Sequence, residues 1–407
     1  MKNFFKLKFY FFPLFMIIFV MVLKSCFSPW AGDLTHGNLI LSFASYERSV
    51  FSSDEVADFE HELIFTGPGG THTRSISGPG TVKISLEPGN WYVSVKAAGN
   101  RPQVYPASEF PQSRMLRAMG WASVNIRAGQ NNSASVRMTS AAEAGNNNQL
   151  NIIIDNMPDR SEKIILITRD IELPAASSLA LIGNKTIMLV SEQNVMLYFD
   201  GGSNQPIRVF DGGTMIVGHW AMPGELIIDG SSHHGSLFRV ESNSNLILDG
   251  RGIIQNAMAT AVRVEGGTFS MYGGIIRGNN TPTGGAGVHV DANGTFNMYG
   301  GTIAANSTQQ YGGGVYVNGS SGGVFVKSGG TIFGGGASSS SNSANPNPIP
   351  EVLRNQDVNN NPPGHAVCVI QILPSNTDYN DYWNRNSTAG PGVNLDSRRS
   401  GALGGWE

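Results

Sequence analysis

Short stretches in which apolar and polar residues alternate recur along the C-terminal half of the chain. Residues 267–279 read GTFSMYGGIIRGN, residues 294–306 read GTFNMYGGTIAAN, and a divergent third copy, GVFVKSGGTIFGG, occupies residues 323–335. Alternation over a few residues predicts β-strands, because successive side chains of a strand point to opposite faces. Repetition at a fixed period predicts a repeat architecture in which each unit stacks on the next.

Each repeat contains three kinds of short strand. We call them valine strands (238–240, 262–264, 288–290, 315–317 and 367–369), phenylalanine strands (246–248, 269–271 and 296–298) and isoleucine strands (around Ile253, Ile276, Ile303 and Ile332). The valines that end four successive valine strands, at 240, 264, 290 and 317, lie 24, 26 and 27 residues apart. Three strands in about two dozen residues predict one turn of a right-handed parallel β-helix with a close-packed apolar interior.

Asparagines also recur at one position of the repeat. Asn256, Asn279 and Asn306 each follow an isoleucine strand. Stacked asparagines hydrogen-bond from one strand layer to the next in fibre-like assemblies. The pattern therefore predicts an asparagine column along one turn of the coil.

The N-terminal half has a different pattern. Apolar residues alternate at 39–43, 62–66, 81–86, 91–97, 122–126 and 133–138, and Gly/Pro turns separate these segments. Such a run of strands without a helical period predicts an antiparallel β-sandwich, which we place at residues 34–140. The segment VKISLEPGNWYVSVK at 82–96 resembles the hairpin of transthyretin-like modules, and that resemblance implies a transthyretin- or immunoglobulin-like sandwich.

Composition shifts set the remaining boundaries. A linker rich in Ala, Gly and Asn, 140–148, separates the sandwich from a β-helix expected at 150–407. A Ser/Asn/Gly/Pro-rich insertion at about 336–363 interrupts the helix. We expect the tail to cap the open end, because an uncovered last turn exposes unpaired backbone groups.

The first residues predict export. Lys2, Lys6 and Lys8 precede an apolar run at 9–23 that is short for a membrane span, which is typical of a signal peptide, here 1–25. The sequence LKSC at 23–26 resembles a bacterial lipobox of the relaxed spirochaete type. That resemblance implies a lipid on Cys26, a tether at 26–33, and a lipid anchor in the cell envelope at the outer membrane or cell surface. The alternative is a cysteine just past an ordinary cleavage site.

Charge and cysteine content limit the partners. Removal of 1–25 takes away four lysines and no acidic residue, so the formal net charge moves from −3 to −7. A mildly acidic protein is a poor partner for nucleic acid. Cys368 is the second of the two cysteines, so an acylated Cys26 leaves no intramolecular disulfide.

An enzyme is one functional hypothesis, since parallel β-helices include polysaccharide lyases and glycosidases, which need converging carboxylates. Asp229 and Asp249 are 20 residues apart, each in an Ile/Leu-Asp-Gly segment. Stacked on adjacent turns, they would lie roughly 4.8 Å apart. The alternative is that both are Asp-Gly turns, for which these residue types are favoured.

Adhesion or ligand binding is the second hypothesis. The segments GGTIAAN at 300–306 and GGGVYV at 312–317 resemble the coils of adhesin-like bacterial surface proteins with a pectin-lyase-like fold. The resemblance implies an exported coil without catalytic residues, and we expect neither a cofactor nor a bound metal. A structural envelope component is a third reading.

The middle residue of each valine strand is expected to point outward. In order along the coil these residues are Arg239, Arg263, His289, Tyr316 and Cys368. Such a stripe would bind an acidic glycan or a host protein by charge pairing and stacking; the alternative is an ordinary solvated face. His219, Trp220 and the segment 379–383 are further polar-aromatic positions, which either stack on sugars or pack within the fold.

Overall fold

The computed structural model describes most of the chain between Thr35 and Phe333. The described residues are 35–46, 50–174, 180–181, 184–199, 207–231, 234–308, 312–318 and 321–333, with the backbone of short strands at 356–357, 367–372, 378–382, 399–400 and 405–406. The signal peptide, Cys26 and the tether lie outside these residues, as does nearly all of the insertion at 336–363. In the described part of the chain, no helix is both long and apolar enough to span a membrane.

Antiparallel pairing dominates the N-terminal region. β2 pairs with β3 and β5, β5 with β6, and β1 with β4, all antiparallel. The elements are β1 (Gly37–Tyr46), α1 (Ser53–Ala57), β2 (Glu60–Gly67), β3 (Gly70–Ser77), β4 (Thr81–Leu86), β5 (Gly89–Asn100), β6 (Arg114–Ile126) and β7 (Asn131–Ala144). The antiparallel prediction is confirmed, and all six predicted segments fall in strands; β3, which is almost wholly exposed, was not predicted.

Alternation along the strands produces one apolar core. On β5, Trp91, Val93 and Val95 are buried while the residues between them are partly or fully exposed. They belong to the same buried cluster as Leu41 of β1 and Phe65 of β2. The cluster therefore combines buried side chains from several strands of the region. One pairing departs from the antiparallel pattern, since β1 and β7 run parallel.

β7 joins the N-terminal region to the coil. Its residues 131–138 pair with β1, residues 139–140 with β6, and residues 141–144 run parallel to residues 164–167 of the coil. The first half of the predicted linker is thus the end of a strand. Helix α2 (Asn147–Asp155) follows, capped by the side chain of Asn146.

Helix α2 was not predicted from the sequence. Its buried residues Leu150, Ile153 and Ile154 join the apolar cluster that runs through the coil. The helix therefore covers apolar residues at the beginning of the coil, within the range where only a β-helix was expected.

The coil itself is a parallel β-solenoid of about six turns that follows the right-handed type. Each turn contributes one strand to each of three parallel sheets. The phenylalanine sheet consists of Glu162–Ile167, Thr186–Val190, Thr214–Val217, Asn245–Leu248, Thr268–Met271, Thr295–Met298 and Val324–Lys327. The isoleucine sheet consists of Ile171–Leu173, Val195–Phe199, Leu226–Asp229, Gly252–Gln255, Ile275–Arg277, Thr302–Ala304 and Thr331–Ile332. The valine sheet consists of Ala180–Leu181, Ile207–Val209, Phe238–Glu241, Val262–Glu265, Val288–Asp291, Val315–Asn318 and Val367–Ile372.

Several further short strands pair with one another or with these three sheets. Asn280–Thr281, Ser307–Thr308 and Gln356–Asp357 pair in a small parallel sheet. From the tail, Asp378–Tyr382 pairs antiparallel with Val367–Ile372, while Gly405–Trp406 pairs with Thr331–Ile332 and with Arg399–Ser400. Tail strands thus extend two of the coil sheets; that the tail caps the coil stays a prediction.

Equivalent side chains stack inside the coil. Phe269, Phe296 and Phe325 are fully buried, with ring centroids 4.9 and 5.0 Å apart in nearly parallel planes. This spacing matches the separation of neighbouring strands, so each ring lies on its counterpart in the adjacent turn. The register predicted for the phenylalanine strands is confirmed.

The asparagine column is present but shorter than predicted. Asn279 and Asn306 are fully buried, and the Nδ2 of Asn279 donates to the Oδ1 of Asn306 at 2.8 Å. The Oδ1 of Asn279 accepts from the backbone N–H of Ala257 at 2.9 Å. Ala257, and not Asn256, therefore stands over Asn279. Asn256 is one residue out of register, adopts a positive φ of 58° and donates to Asp229 instead.

Candidate ligand-binding surfaces of the coil

The predicted outward column of the valine sheet forms as expected. Arg239 pairs in register with Arg263, Arg263 with His289, and His289 with Tyr316, and the backbone of Cys368 follows. Arg208, from the turn before, extends the column at its other end. We call Arg208, Arg239, Arg263, His289 and Tyr316 the basic column.

A second column, missed from the sequence, lies beside the first. Glu241, Glu265 and Asp291 each come two residues after a member of the basic column and are themselves in register. Two residues along a strand bring a side chain back to the same face. The signal was present in the sequence as an acidic residue directly after three valine strands. We call these three residues the acidic column.

The two columns form a ladder of ion pairs across turns. Arg208 binds Glu241 of the next turn, with Nε to Oε1 at 2.9 Å and Nη2 to Oε2 at 3.1 Å. Arg239 Nη2 lies 2.6 Å from Oε2 of Glu265 in the next turn. Arg263 contacts Glu265 at 2.5 Å in its own turn and Asp291 at 3.7 Å in the next.

These ion pairs change the charge expected for the outward stripe of the valine sheet. Each guanidinium has a carboxylate within ion-pair distance, so the stripe is charge-compensated and not purely basic. The side chains of Arg239 and Arg263 remain 46% and 40% exposed, so they can still reach a ligand. A shallow, open depression of about 450 Å³ lies at Arg239, Glu241 and Glu265.

His289 is largely covered, with 13% of its side chain exposed. Its ring lies 4.7 Å from the ring of Tyr316, and its Nδ1 is 3.0 Å from the backbone oxygen of Gly284. Burial, followed by the nearby charge of Arg263, lowers the pKa of His289 below its ordinary value. A neutral imidazole donating from Nδ1 to Gly284 fits this setting.

The predicted pair of Asp229 and Asp249 does not form. Asp229 ends a strand of the isoleucine sheet, opposite Gln255. Asp249 directly follows a strand of the phenylalanine sheet. The two carboxylates therefore lie on different sheets. One turn takes 26 residues from Asp229 to Gln255 and 31 residues from Val217 to Leu248, so a spacing of 20 residues is shorter than a turn. The stacking expected from their spacing is wrong.

Asp229 is buried and hydrogen-bonded to neighbouring polar groups. It is 4% exposed and accepts hydrogen bonds from the N–H of Ser231, from Gln255 at 2.8 Å and from Asn256 at 2.7 Å. Burial alone would raise the pKa of Asp229, but these hydrogen bonds outweigh it and hold that pKa below its ordinary value. A buried carboxylate with this many donors holds the turn together.

His219 and Trp220 were expected either to stack on sugars or to pack within the fold, and the structure separates the two residues. His219 is 8% exposed and accepts a hydrogen bond from the indole of Trp121 at 2.9 Å, which ties the coil to β6. Burial lowers the pKa of His219, while the charge of Asp249 opposes that effect. Trp220, in contrast, is 45% exposed, so it is not a buried packing residue.

Among the described residues, no group of three or more His, Cys, Asp or Glu side chains is arranged to hold a metal ion. The fold and its outer columns define the molecule as a parallel β-solenoid with an antiparallel N-terminal region. Comparisons with protein-family models, with curated proteins and with solved structures each gave no match to this chain. The functional argument therefore rests on the coil's own side chains.

Proposed function

We propose that this protein is an exported binding protein, held in the bacterial cell envelope by a lipid on Cys26, whose coil presents its outer columns to a host protein or glycan. In this proposal the N-terminal region is a transthyretin- or immunoglobulin-like sandwich close to the membrane. The coil raises the binding surface away from the anchor.

The ion-pair ladder is the observation that carries this proposal. It repeats guanidinium and carboxylate groups at one pair per turn, roughly 4.8 Å apart along the coil. Arg239 and Arg263 keep two-fifths or more of their side-chain surface exposed while the acidic column fixes their position. A rigid, periodic and polar surface suits a ligand that is itself periodic or extended, since little side-chain ordering is left to be lost on binding.

Binding by the full-length protein in detergent tests the proposal. The probes are heparin oligosaccharides, hexagalacturonic acid and immobilised host extracellular-matrix proteins. We expect R239A/R263A to weaken binding of an acidic or protein probe about tenfold or more. Arg137→Ala, which removes a 67% exposed arginine outside the column, is the matched control. Undiminished binding by the double variant would refute a role for the column.

The anchor has its own test. Mass spectrometry of the N-terminal peptide should find a diacylglyceryl group on Cys26, and Cys26→Ser should move the protein from the detergent to the aqueous phase of a Triton X-114 partition. An unmodified Cys26 contradicts the lipid anchor. A reducing-end release assay on the same glycans separates binding from glycoside cleavage.

A further inference from the structure

A second surface of the coil lies at the corner between the phenylalanine and isoleucine sheets. Asp249, Tyr272 and Tyr299 each follow a phenylalanine strand. The backbone N–H of Tyr272 donates to Leu248 at 2.9 Å, and that of Tyr299 donates to Met271 at 2.8 Å. These three residues therefore occupy the same place in successive turns.

This corner carries an unusual share of exposed aromatic surface. Tyr272 and Tyr299 are 55% and 46% exposed, and their rings stack at 4.8 Å with an interplanar angle of 18°. Trp220 lies at the same corner and contacts Tyr92 of β5, with ring centroids 5.2 Å apart. We call Tyr92, Trp220, Tyr272 and Tyr299 the aromatic corner. Among the described residues the exposed large apolar side chains are these four, Val104 and Met258.

Trp220 and Tyr272 are separated by one intervening turn. A Cβ built on Gly250 would lie 2.8 Å from the Cα of Trp220, and one built on Gly273 would lie 2.8 Å from the Cα of Gly250. The backbones at Trp220, Gly250 and Gly273 therefore stack one per turn. Two strand spacings separate the backbone of Trp220 from that of Gly273, the residue after Tyr272, by roughly 10 Å along the coil. Between them lies the turn of Asp249 and Gly250, where glycine contributes no side chain.

We infer that this corner binds a neutral glycan chain that lies across the Asp249–Gly250 turn, with one sugar ring stacked on Trp220 and another on Tyr272. One ring held between two aromatic faces needs carbon contacts of about 3.5–4.0 Å on each side, or about 7–8 Å in all, so a separation of roughly 10 Å fits two sugars of one chain. The partly exposed carboxylate of Asp249 accepts hydrogen bonds from sugar hydroxyl groups. The ring stack of Tyr272 and Tyr299 continues the platform toward the next sugar.

The chemistry of the corner favours a neutral glycan over the other occupants. Tyrosine and tryptophan combine an apolar face with a polar tip, which suits a ligand that has C–H faces and hydroxyl edges. A carboxylate at the centre of the site disfavours an anionic ligand. A second copy of the chain would be expected to cover a continuous dry patch, whereas here half-exposed rings alternate with a polar turn and glycines.

This inference rests on the proposed binding function but places a different ligand class on a different surface. Titration of the full-length protein with cellohexaose, chitohexaose, mannohexaose and hexagalacturonic acid tests it. We expect at least one neutral hexasaccharide to bind, and Trp220→Ala and Tyr272→Ala each to weaken its binding about tenfold. Tyr272→Phe keeps the ring and should stay within a few-fold of the unaltered chain. R239A/R263A should leave neutral-glycan binding unchanged.

Met258→Ala is the matched control, because Met258 is 48% exposed but follows an isoleucine strand at another corner. Three results overturn the inference: no neutral hexasaccharide binds; Trp220→Ala and Tyr272→Ala bind normally; or these variants only convert a dimer to a monomer in sedimentation. Loss of acidic-glycan binding in R239A/R263A together with normal behaviour of the aromatic variants would leave the proposed function standing and remove only this inference.

Discussion

The two regions of the molecule bury apolar side chains in different ways. In the N-terminal region, Trp91, Phe43 and Phe65 come from distant strands and meet in a single cluster. In the coil, Phe296 lies between Phe269 and Phe325, its equivalents in the two adjacent turns. A buried side chain in the coil thus packs between its equivalents in adjacent turns, whereas a buried side chain in the N-terminal region packs against residues from unrelated positions in the sequence.

The largest expected effect comes from removing one core aromatic residue from each region. Phe296→Ala and Trp91→Ala should each cost about 3–5 kcal/mol of unfolding free energy, because both side chains are fully buried. Hydrogen exchange should separate the two. Phe296→Ala should lower protection most in its own and the adjacent turns, since a repeat contacts only its neighbours. Trp91→Ala should lower protection across β1 to β7 together.

Thr295→Ala, which alters a partly exposed residue next to Phe296, is the control for the coil variant. If the loss of protection in Phe296→Ala spreads evenly through both regions, the two cores behave as one unit and the distinction made here is wrong.

A smaller effect is expected from the asparagine column of the coil. The described apolar cluster of the N-terminal region contains no such column. Asn306→Ala removes the acceptor for both the N–H and the Nδ2 of buried Asn279. Unsatisfied buried donors cost about 1–3 kcal/mol. Urea denaturation should detect this loss, and Asn297→Ala on the neighbouring strand, where the side chain is partly exposed, should cost less. Equal losses would show that the column contributes no special stability.

The smallest expected effect is a response to acid in the N-terminal core. Burial lowers the pKa of His61, which is 1% exposed and packs 4.9 Å from the ring of Phe43. The folded state therefore takes up a proton less readily than the unfolded state. His61 costs no stability above the unfolded pKa of about 6.5, and stability falls as the pH drops below that value.

Urea midpoints between about pH 7.5 and about pH 5 should thus decrease less in His61→Leu than in the unaltered chain. The exposed His72 of β3 provides the control, as His72→Leu. Any acid response left in His61→Leu is expected in the coil, where burial also lowers the pKa values of His219 and His289. An unchanged pH profile in His61→Leu would assign the whole response to other groups.

The register of the coil could be predicted from the sequence because equivalent residues recur in successive turns. The stacking of Phe269 on Phe296, and the order Arg239, Arg263, His289 and Tyr316, followed from repeats that are similar enough to align by eye. The acidic column could also have been predicted, because an acidic residue directly follows three of the valine strands. Its position implies ion pairing across turns.

Register between dissimilar turns could not be predicted in the same way. Asp229 and Asp249 share a local sequence yet belong to different sheets, and Asn256 misses the asparagine column by one residue. The two aspartates are less than one turn apart. Asn256 is displaced because the connection from the phenylalanine strand to the isoleucine strand is one residue longer in its turn than in the next, so Ile253 pairs with Ile275. Helix α2 was missed because most of its segment was included in the predicted β-helix, for which only strands were expected.

The exposed aromatic corner was hidden for a related reason. Trp220 and Tyr272 lie in unlike segments, and their shared corner is seen only where Gly250 lies against Trp220 and against Gly273, the residue after Tyr272. No repeat in the sequence pairs a tryptophan with a tyrosine.

β7 has a mechanical consequence. A single strand bonds to β1 at one end and to the first strand of the phenylalanine sheet at the other. The two regions are thus joined by a continuous backbone without an intervening hinge. Tension applied along this strand would load its parallel hydrogen bonds in shear, so several would have to break together. Force applied to the coil by a bound ligand would then be transmitted through β7 to the N-terminal region.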